Sequence, residues 1–163
     1  MTATATLTPR TNPIAAGEIA PDFTLKDQDK NEWTLSAALE EGDVVLCFYP
    51  MAFSGVCSTE MKCVTDDFAK FEKAGATVVG ISTDSFFANK AWREQLGLKQ
   101  TLLADMHRQV CKAYGFYFPD LNVSSRGTVI ISGDPANRGK VKWVQARELP
   151  NAMALDDVLA AIS

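Results

Sequence analysis

The sequence predicts an α/β fold with a central mixed sheet flanked by helices, and three observations support this. Residues 44–49 are apolar without alternation, which is the pattern of a strand buried on both faces. Apolar side chains then recur at helical spacing over residues 57–74, before the break at Gly75. A second apolar run, residues 77–82, completes a β-α-β unit, whose crossover we expect to be right-handed.

The other elements follow from similar patterns. Residues 22–25 and 32–34 are predicted to pair as a hairpin across the polar turn at 27–31, and residues 35–40 to form a brief helix. Further predicted elements are a helix at 86–96, a short strand at 102–103, a helix at 108–114, strands at 128–132 and 140–145, and a helix at 155–162.

Composition restricts the class of protein. A chain of 163 residues with 47% hydrophobic residues is long enough for one domain with a substantial core. We expect residues 1–13 to be a flexible N-terminal tail and residues 14–163 to form the single domain. A net charge of −4 argues against a nucleic-acid partner. No apolar run reaches the roughly 18 residues that span a membrane, so no membrane partner is expected.

Cysteine usage points to a reducing compartment. The four cysteines are too few and too irregularly spaced for a secreted disulfide framework, and no C-x-x-C pair suggests zinc. The start of the chain has no apolar block of the signal-peptide type. We therefore expect a cytoplasmic location, with no metal and no cofactor.

Cys57 occupies the most informative position in the sequence. It follows the predicted strand 44–49, and Ser54, Gly55 and Ser58 supply turn and capping chemistry around it. This places Cys57 in the first turn of the next helix, on its inward face. Unpaired backbone N–H groups and the positive end of the helix dipole favour an anion there, so the spacing favours a thiolate.

The residues around Cys57 carry a resemblance to a known family. The pattern Pro50-x-x-x-Ser54-x-x-Cys57 resembles the active-site motif of peroxiredoxins, the thiol peroxidases of the thioredoxin-fold superfamily. The whole string of residues 50–57 is most similar to the alkyl hydroperoxide reductase E type. The family usually has Thr where this chain has Ser54, which keeps the hydroxyl. Most other members have Asp where this chain has Ala52.

A second family element is an arginine ahead of a strand, and Arg126 fits it. Shorter matches lie at residues 20–23, 81–84 and 113–115. The resemblance covers roughly residues 17–160. It implies a thioredoxin-like fold of the peroxiredoxin variant.

The resemblance also implies a function, the reduction of hydrogen peroxide and organic hydroperoxides through a sulfenic acid at Cys57. Arg126 would favour the thiolate and donate to a peroxide oxygen. Ser54 would exchange hydrogen bonds with the peroxide, and Pro50 would shield the sulfur. Glu60 matches a position that is commonly Glu in the family and would orient its neighbours. By the same resemblance, a homodimer is expected.

Several routes can return the sulfenic acid to the thiol. One route uses an external reductant: a thioredoxin, a glutaredoxin-like protein or a low-molecular-weight thiol. Cys63 lies six residues on, about 240° around the helix and about 9 Å along it, so it can bond Cys57 only if the helix unwinds. Cys111 is a less favoured internal partner, and Cys47, in mid-strand, is expected to be core.

Other interpretations remain open at this stage. In one, Cys57 acts in a peroxide sensor or redox relay that passes oxidation to a partner protein. In another, it is an inert, capped core cysteine of a thioredoxin-like scaffold, with Arg126 on the surface and Ser54 only a helix cap. A thioredoxin-type oxidoreductase is disfavoured because Cys57 has no partner cysteine three residues away.

Overall fold

The computed structural model describes residues 7–162, which form nine strands and six helices. In chain order these are β1 Thr24–Asp27, β2 Glu32–Thr34, α1 Leu35–Leu39, β3 Val44–Phe48, α2 Gly55–Asp66, α3 Phe68–Lys73, β4 Thr77–Ser82, α4 Phe86–Leu96, β5 Thr101–Ala104, α5 Gln109–Tyr114, β6 Tyr117–Phe118, β7 Val123–Ser124, β8 Arg126–Ile131, β9 Val141–Arg147 and α6 Leu155–Ile162.

Seven strands form a mixed sheet in the order β2-β1-β5-β4-β3-β8-β9. Strand β3 is central and pairs in parallel with β4 and antiparallel with β8. The parallel pair confirms the β-α-β unit that the sequence predicts. The antiparallel partner matters for function, because it brings the start of β8 beside the end of β3, where the chain turns into α2.

The sheet separates two hydrophobic cores. Leu46 and Phe48 of β3 pack on one side with α1 and α5, which we call the α1–α5 face. Val45 and Cys47 pack on the other side with α2, α4 and α6, which we call the α2–α4 face. Because successive side chains of a strand point to opposite faces, the non-alternating run in β3 supplies both cores at once.

One predicted helix and two predicted strands differ from the structure. The single helix expected over residues 57–74 is two helices, α2 and α3, which meet at Asp67, whose φ of −102° and ψ of 15° are not helical. The reason is local, since Asp competes for backbone hydrogen bonds and favours helix ends over helix interiors. The strands at 128–132 and 140–145 are also longer at the end that meets α2, because β8 begins at Arg126 and β9 runs to Arg147.

The flexible tail expected for residues 1–13 stays a prediction. Its residues 1–6 lie outside the described part of the chain. From residue 7 on, the chain runs beside α5: the Arg10 amide donates to the Lys112 carbonyl at 3.0 Å, and its guanidinium pairs with Glu18. Within the described residues, no helix is both long enough and apolar enough to cross a bilayer.

Candidate active site

Cys57 lies in the first turn of α2, and its side chain is fully buried on the α2–α4 face. Ser54 is the N-cap of the helix: its Oγ accepts from the Cys57 amide at 3.4 Å and its carbonyl accepts from the Ser58 amide at 2.9 Å. The capping role of Ser54 is therefore present, and it also fixes the hydroxyl within one helical turn of the Cys57 sulfur. Pro50, which lies between β3 and α2, is also buried.

Arg126 is the first residue of β8 and is only 3% exposed, so it is not a surface arginine. Its Nη2 donates to the Sγ of Cys57 at 3.0 Å. Its Nε donates to the carbonyl of Leu149 in a very short contact. The guanidinium is thus held by the segment that follows β9, with one edge directed at the sulfur.

A buried carboxylate completes the charge arrangement. Glu60, one turn after Cys57 on α2, is 1% exposed. Its Oε1 lies 3.7 Å from Nη1 of Arg126, and its Oε2 lies 3.3 Å from Nη2 of Arg147 and accepts from the Met153 amide at 2.7 Å. Burial raises the pKa of the Glu60 carboxyl, while Arg147, the Met153 amide and Arg126 oppose that rise.

The cluster of Glu60, Arg126 and Arg147 contains buried polar atoms that make no hydrogen bond to any described residue. Within residues 7–162, Nη1 of Arg126 and Oε1 of Glu60 are buried without a hydrogen-bond partner. Such groups are costly unless something satisfies them, and the Arg126 donor belongs to the same guanidinium that contacts the sulfur. The arrangement can therefore favour a sulfur anion and still offer an N–H to an oxygen-containing molecule beside it.

No two cysteines are bonded in the described chain, and only Cys47 shares the α2–α4 face core with Cys57. Cys63 is exposed on the outer side of α2. Cys111 is buried on the α1–α5 face, so the sheet lies between it and Cys57. Cys47 is core on the α2–α4 face, as the sequence predicts. Burial raises the pKa of both the Cys47 and the Cys111 thiols, which keeps them protonated.

Sequence reasoning missed some participants. Arg147 was not singled out, because an arginine at the end of a strand carries no local signal of its partner. Trp92 of α4 has no motif around it either, yet its Nε1 donates to Ser58 Oγ at 3.2 Å, next to Cys57 in the chain. The backbone of Leu149 and Met153 enters the site through a connection that has no motif. No group of three or more His, Cys, Asp or Glu side chains in the described part of the chain is arranged to hold a metal.

Comparison with known proteins shows the family to which the chain belongs. Residues 16–144 match the model of the AhpC/TSA family. The chain is 30% identical over 155 residues to alkyl hydroperoxide reductase E of Mycobacterium tuberculosis, covering 92% of this chain and 99% of the relative. It is 35% identical over 156 residues to the chloroplastic 2-Cys peroxiredoxin BAS1 of Hordeum vulgare, covering 90% and 72% of the two chains.

Solved structures give the same result. The crystal structure of peroxidoxin BcpB from Mycobacterium tuberculosis superposes with a TM-score of 0.80 at 30% identity, covering 90% of this chain and 95% of that one. The reduced 2-Cys peroxiredoxin of Plasmodium vivax superposes with a TM-score of 0.82 at 28% identity, covering 92% and 81%.

Proposed function

We infer that Cys57 is the reacting thiol of this chain. The chain belongs to the AhpC/TSA family and is a peroxiredoxin, a cysteine-based peroxidase with a thioredoxin-like fold. The observation that carries the assignment of Cys57 is the 3.0 Å contact between its Sγ and Nη2 of Arg126. A permanent cation beside a sulfur at the start of a helix favours the thiolate, which is the nucleophilic form.

The proposed reaction is an in-line displacement at oxygen. The Cys57 thiolate attacks the terminal oxygen of a hydroperoxide, a sulfur–oxygen bond forms, and the oxygen–oxygen bond breaks. The electron pair of that bond leaves on the other oxygen, which takes a proton and departs as water or an alcohol. Sulfur is oxidised by two electrons to the sulfenic acid and the peroxide is reduced.

Each neighbour has a role in that step. Arg126 stabilises the thiolate and donates from its unpartnered Nη1 or from Nη2 to the oxygens as charge moves onto them. Ser54 Oγ accepts a proton from the peroxide or donates to an oxygen, since a hydroxyl does both. Pro50 keeps water from the sulfur. Hydrogen peroxide and organic hydroperoxides both present the oxygen that this geometry requires.

We propose that an external thiol or a redoxin returns Cys57 to the thiol. Cys63 lies on α2 with Cys57, about 9 Å further along the helix axis, whereas a disulfide needs Cα atoms less than about 7 Å apart. The pair can bond only if the first turns of α2 unwind. Cys111 has no route past the intervening sheet. In the external route, one thiol condenses with the sulfenic acid to release water, and a second thiol reduces the mixed disulfide.

We also propose a homodimer and a cytosolic location. The loop between β3 and α2 exposes Met51 and Phe53, and the start of α4 exposes Phe87. The Ala52 amide donates to the Asp84 carboxylate at 2.8 Å, so the loop and the start of α4 are neighbours. Exposed apolar side chains that lie close together favour a protein partner, for which a second copy of this chain is our proposal.

The decisive experiment compares Cys57→Ser with Cys63→Ser in steady-state peroxide consumption with a dithiol reductant. We expect Cys57→Ser to have no activity and Cys63→Ser to keep it. Mass spectrometry after one equivalent of peroxide should find the added oxygen on Cys57 alone. Peroxidase activity that survives in Cys57→Ser would rule out this assignment.

A further inference from the structure

The loop that carries the active-site motif contains a strained residue. Phe53 has a φ of +69°, in the left-handed region that bulky side chains rarely adopt. Its ring is 52% exposed and packs only loosely, 6.4 Å between centroids, on Trp92. Because such a conformation costs free energy, it persists only where flanking contacts hold it.

The contacts that hold it lie on both sides. After Phe53, Ser54 is tied into α2 as its N-cap. Before Phe53, the Ala52 amide donates to Oδ2 of Asp84 at 2.8 Å. Asp84 follows β4 and is itself held by Ser82. Its Oδ2 also accepts from Ser82 Oγ at 2.8 Å, and its amide donates to Ser82 Oγ at 3.3 Å.

Hydrogen bonds connect Asp84 to the buried end of β4. Ser82 is the last residue of β4 and is fully buried. Its Oγ lies 3.5 Å from Oδ1 of Asn89, which accepts from the hydroxyl of Tyr49 at 3.0 Å. Tyr49 directly precedes Pro50, so one polar network holds the loop at its entry and, through Asp84, in its middle. Asp84 is the only carboxylate of this network among the described residues.

We propose that Asp84 is a positioning residue for the peroxidase reaction. It does not contact the sulfur. By fixing the Ala52 amide, it holds Phe53 in its strained conformation and so sets where Pro50 and Ser54 stand relative to Cys57. The proposal rests on the proposed function of Cys57 as the reacting thiol. It adds that the alignment of the loop, and not only the identity of its motif residues, determines the rate of peroxide attack.

The experiment compares Asp84→Ala and Asp84→Asn with the wild-type protein, and uses Ser85→Ala as the matched control. Ser85 caps α4 one residue further on, accepting from the Ala88 amide at 3.1 Å, and in the described part of the chain it makes no hydrogen bond to the loop. Two quantities are measured: the second-order rate of Cys57 oxidation by hydrogen peroxide, and hydrogen exchange of the Ala52 amide by NMR.

We expect Asp84→Ala to slow Cys57 oxidation by about tenfold or more, because small misplacements of reacting groups carry penalties of that order. Asp84→Asn, which keeps an oxygen acceptor, should stay within about threefold of wild type. The Ala52 amide should be protected in the wild type and in Asp84→Asn, and should exchange freely in Asp84→Ala. Ser85→Ala should change neither quantity.

A wild-type rate in Asp84→Ala, or an equal loss in Ser85→Ala, would overturn the proposal. So would an unprotected Ala52 amide in the wild-type protein, a measurement that requires no variant to fold. Failure of the proposed function is a different result, in which wild-type Cys57 is not oxidised by peroxide at all.

Discussion

Nη2 of Arg126 donates to Sγ of Cys57 at 3.0 Å, although 69 positions separate the two residues in the sequence. The contact joins the first residue of β8 to the first turn of α2. Both side chains are buried, so water screens their interaction weakly. The fold therefore places a cation from a distant element directly beside the sulfur.

Replacing Arg126 should impair peroxide attack more than any other change outside Cys57. We expect Arg126→Ala to lower the second-order rate of Cys57 oxidation by about 100-fold or more, because the donor acts in a site that excludes water. Arg126→Lys should recover only part of this, since an ammonium cannot reproduce the guanidinium fork. Stopped-flow measurement with hydrogen peroxide provides the rates.

The control for Arg126 is Arg10→Ala, which removes an arginine from a half-exposed pair with Glu18. Iodoacetamide labelling of Cys57 at mildly acidic pH provides a second readout of the thiolate. Labelling of wild-type Cys57 no faster than free glutathione, or unchanged by Arg126→Ala, would contradict the role given to the cation.

Removing the Glu60 carboxylate should destabilise the fold. Glu60 is 1% exposed and lies beside two arginines, so Glu60→Ala leaves buried charges unpaired, at a cost of about 3–5 kcal/mol. Glu60→Gln should cost less, because its amide oxygen still accepts from the Met153 amide. Urea unfolding measures both, with the exposed Glu72→Gln as control. Equal stability of Glu60→Ala and Glu72→Gln would show that the Glu60 carboxylate does not contribute to the free energy of unfolding.

Cysteine substitutions should separate the recycling routes. Because Cys111 lies across the sheet from Cys57, Cys111→Ala should leave turnover unchanged. Cys63→Ser should also sustain turnover with an external thiol. Non-reducing peptide mapping after peroxide treatment should find Cys57 oxidised or in a mixed disulfide with the added thiol. A Cys57–Cys63 crosslink, together with lost turnover in Cys63→Ser, would instead establish the internal route.

Stability should fall at alkaline pH. Burial raises the pKa of Cys47 and Tyr49 above their usual values of 9.0 and 10.0, and also raises the pKa of Tyr114. The folded protein therefore keeps protons that the unfolded chain releases, so their stabilising contribution is complete below about pH 9 and is lost as the pH rises.

Urea unfolding between pH 7 and pH 10.5 checks this dependence. The free energy of unfolding should decline as the pH rises above about 9. Tyr114→Phe should make the decline above about pH 10 shallower, because one titrating group is gone. A free energy that is constant or rises over this range would be inconsistent with buried, protonated thiols and phenols.

Charge placed on the exposed apolar side chains near the loop should weaken the proposed dimer. Phe87 is 64% exposed at the start of α4, and Phe87→Glu should shift the protein from dimer to monomer in sedimentation velocity. Ile19→Glu is the control, because Ile19 is equally exposed, at 65%, but lies at an isolated bridge to Lys140. A wild-type protein that sediments as a monomer at micromolar concentration would exclude the dimer.

Elements with strong local signals could be predicted from the amino-acid sequence alone. The non-alternating run identified β3 as a strand buried on both faces, and the helical spacing identified α2. The capping chemistry of Ser54 placed Cys57 in the first turn, where the structure has it. Asp67 shows the limit of this reasoning, because the apolar spacing continues past it while its backbone leaves the helix.

Contacts between residues far apart in the chain could not be predicted in this way. Arg126 reaches Cys57 because β8 runs antiparallel to β3, which brings its first residue to the edge where α2 begins. Arg147 reaches Glu60 because β9 pairs with β8 in a register that sets Arg147 opposite Arg126. Cys111 is separated from Cys57 because the sheet divides the cores. Strand order, register and the face of each side chain are set by packing among elements far apart in sequence, so no local pattern encodes them.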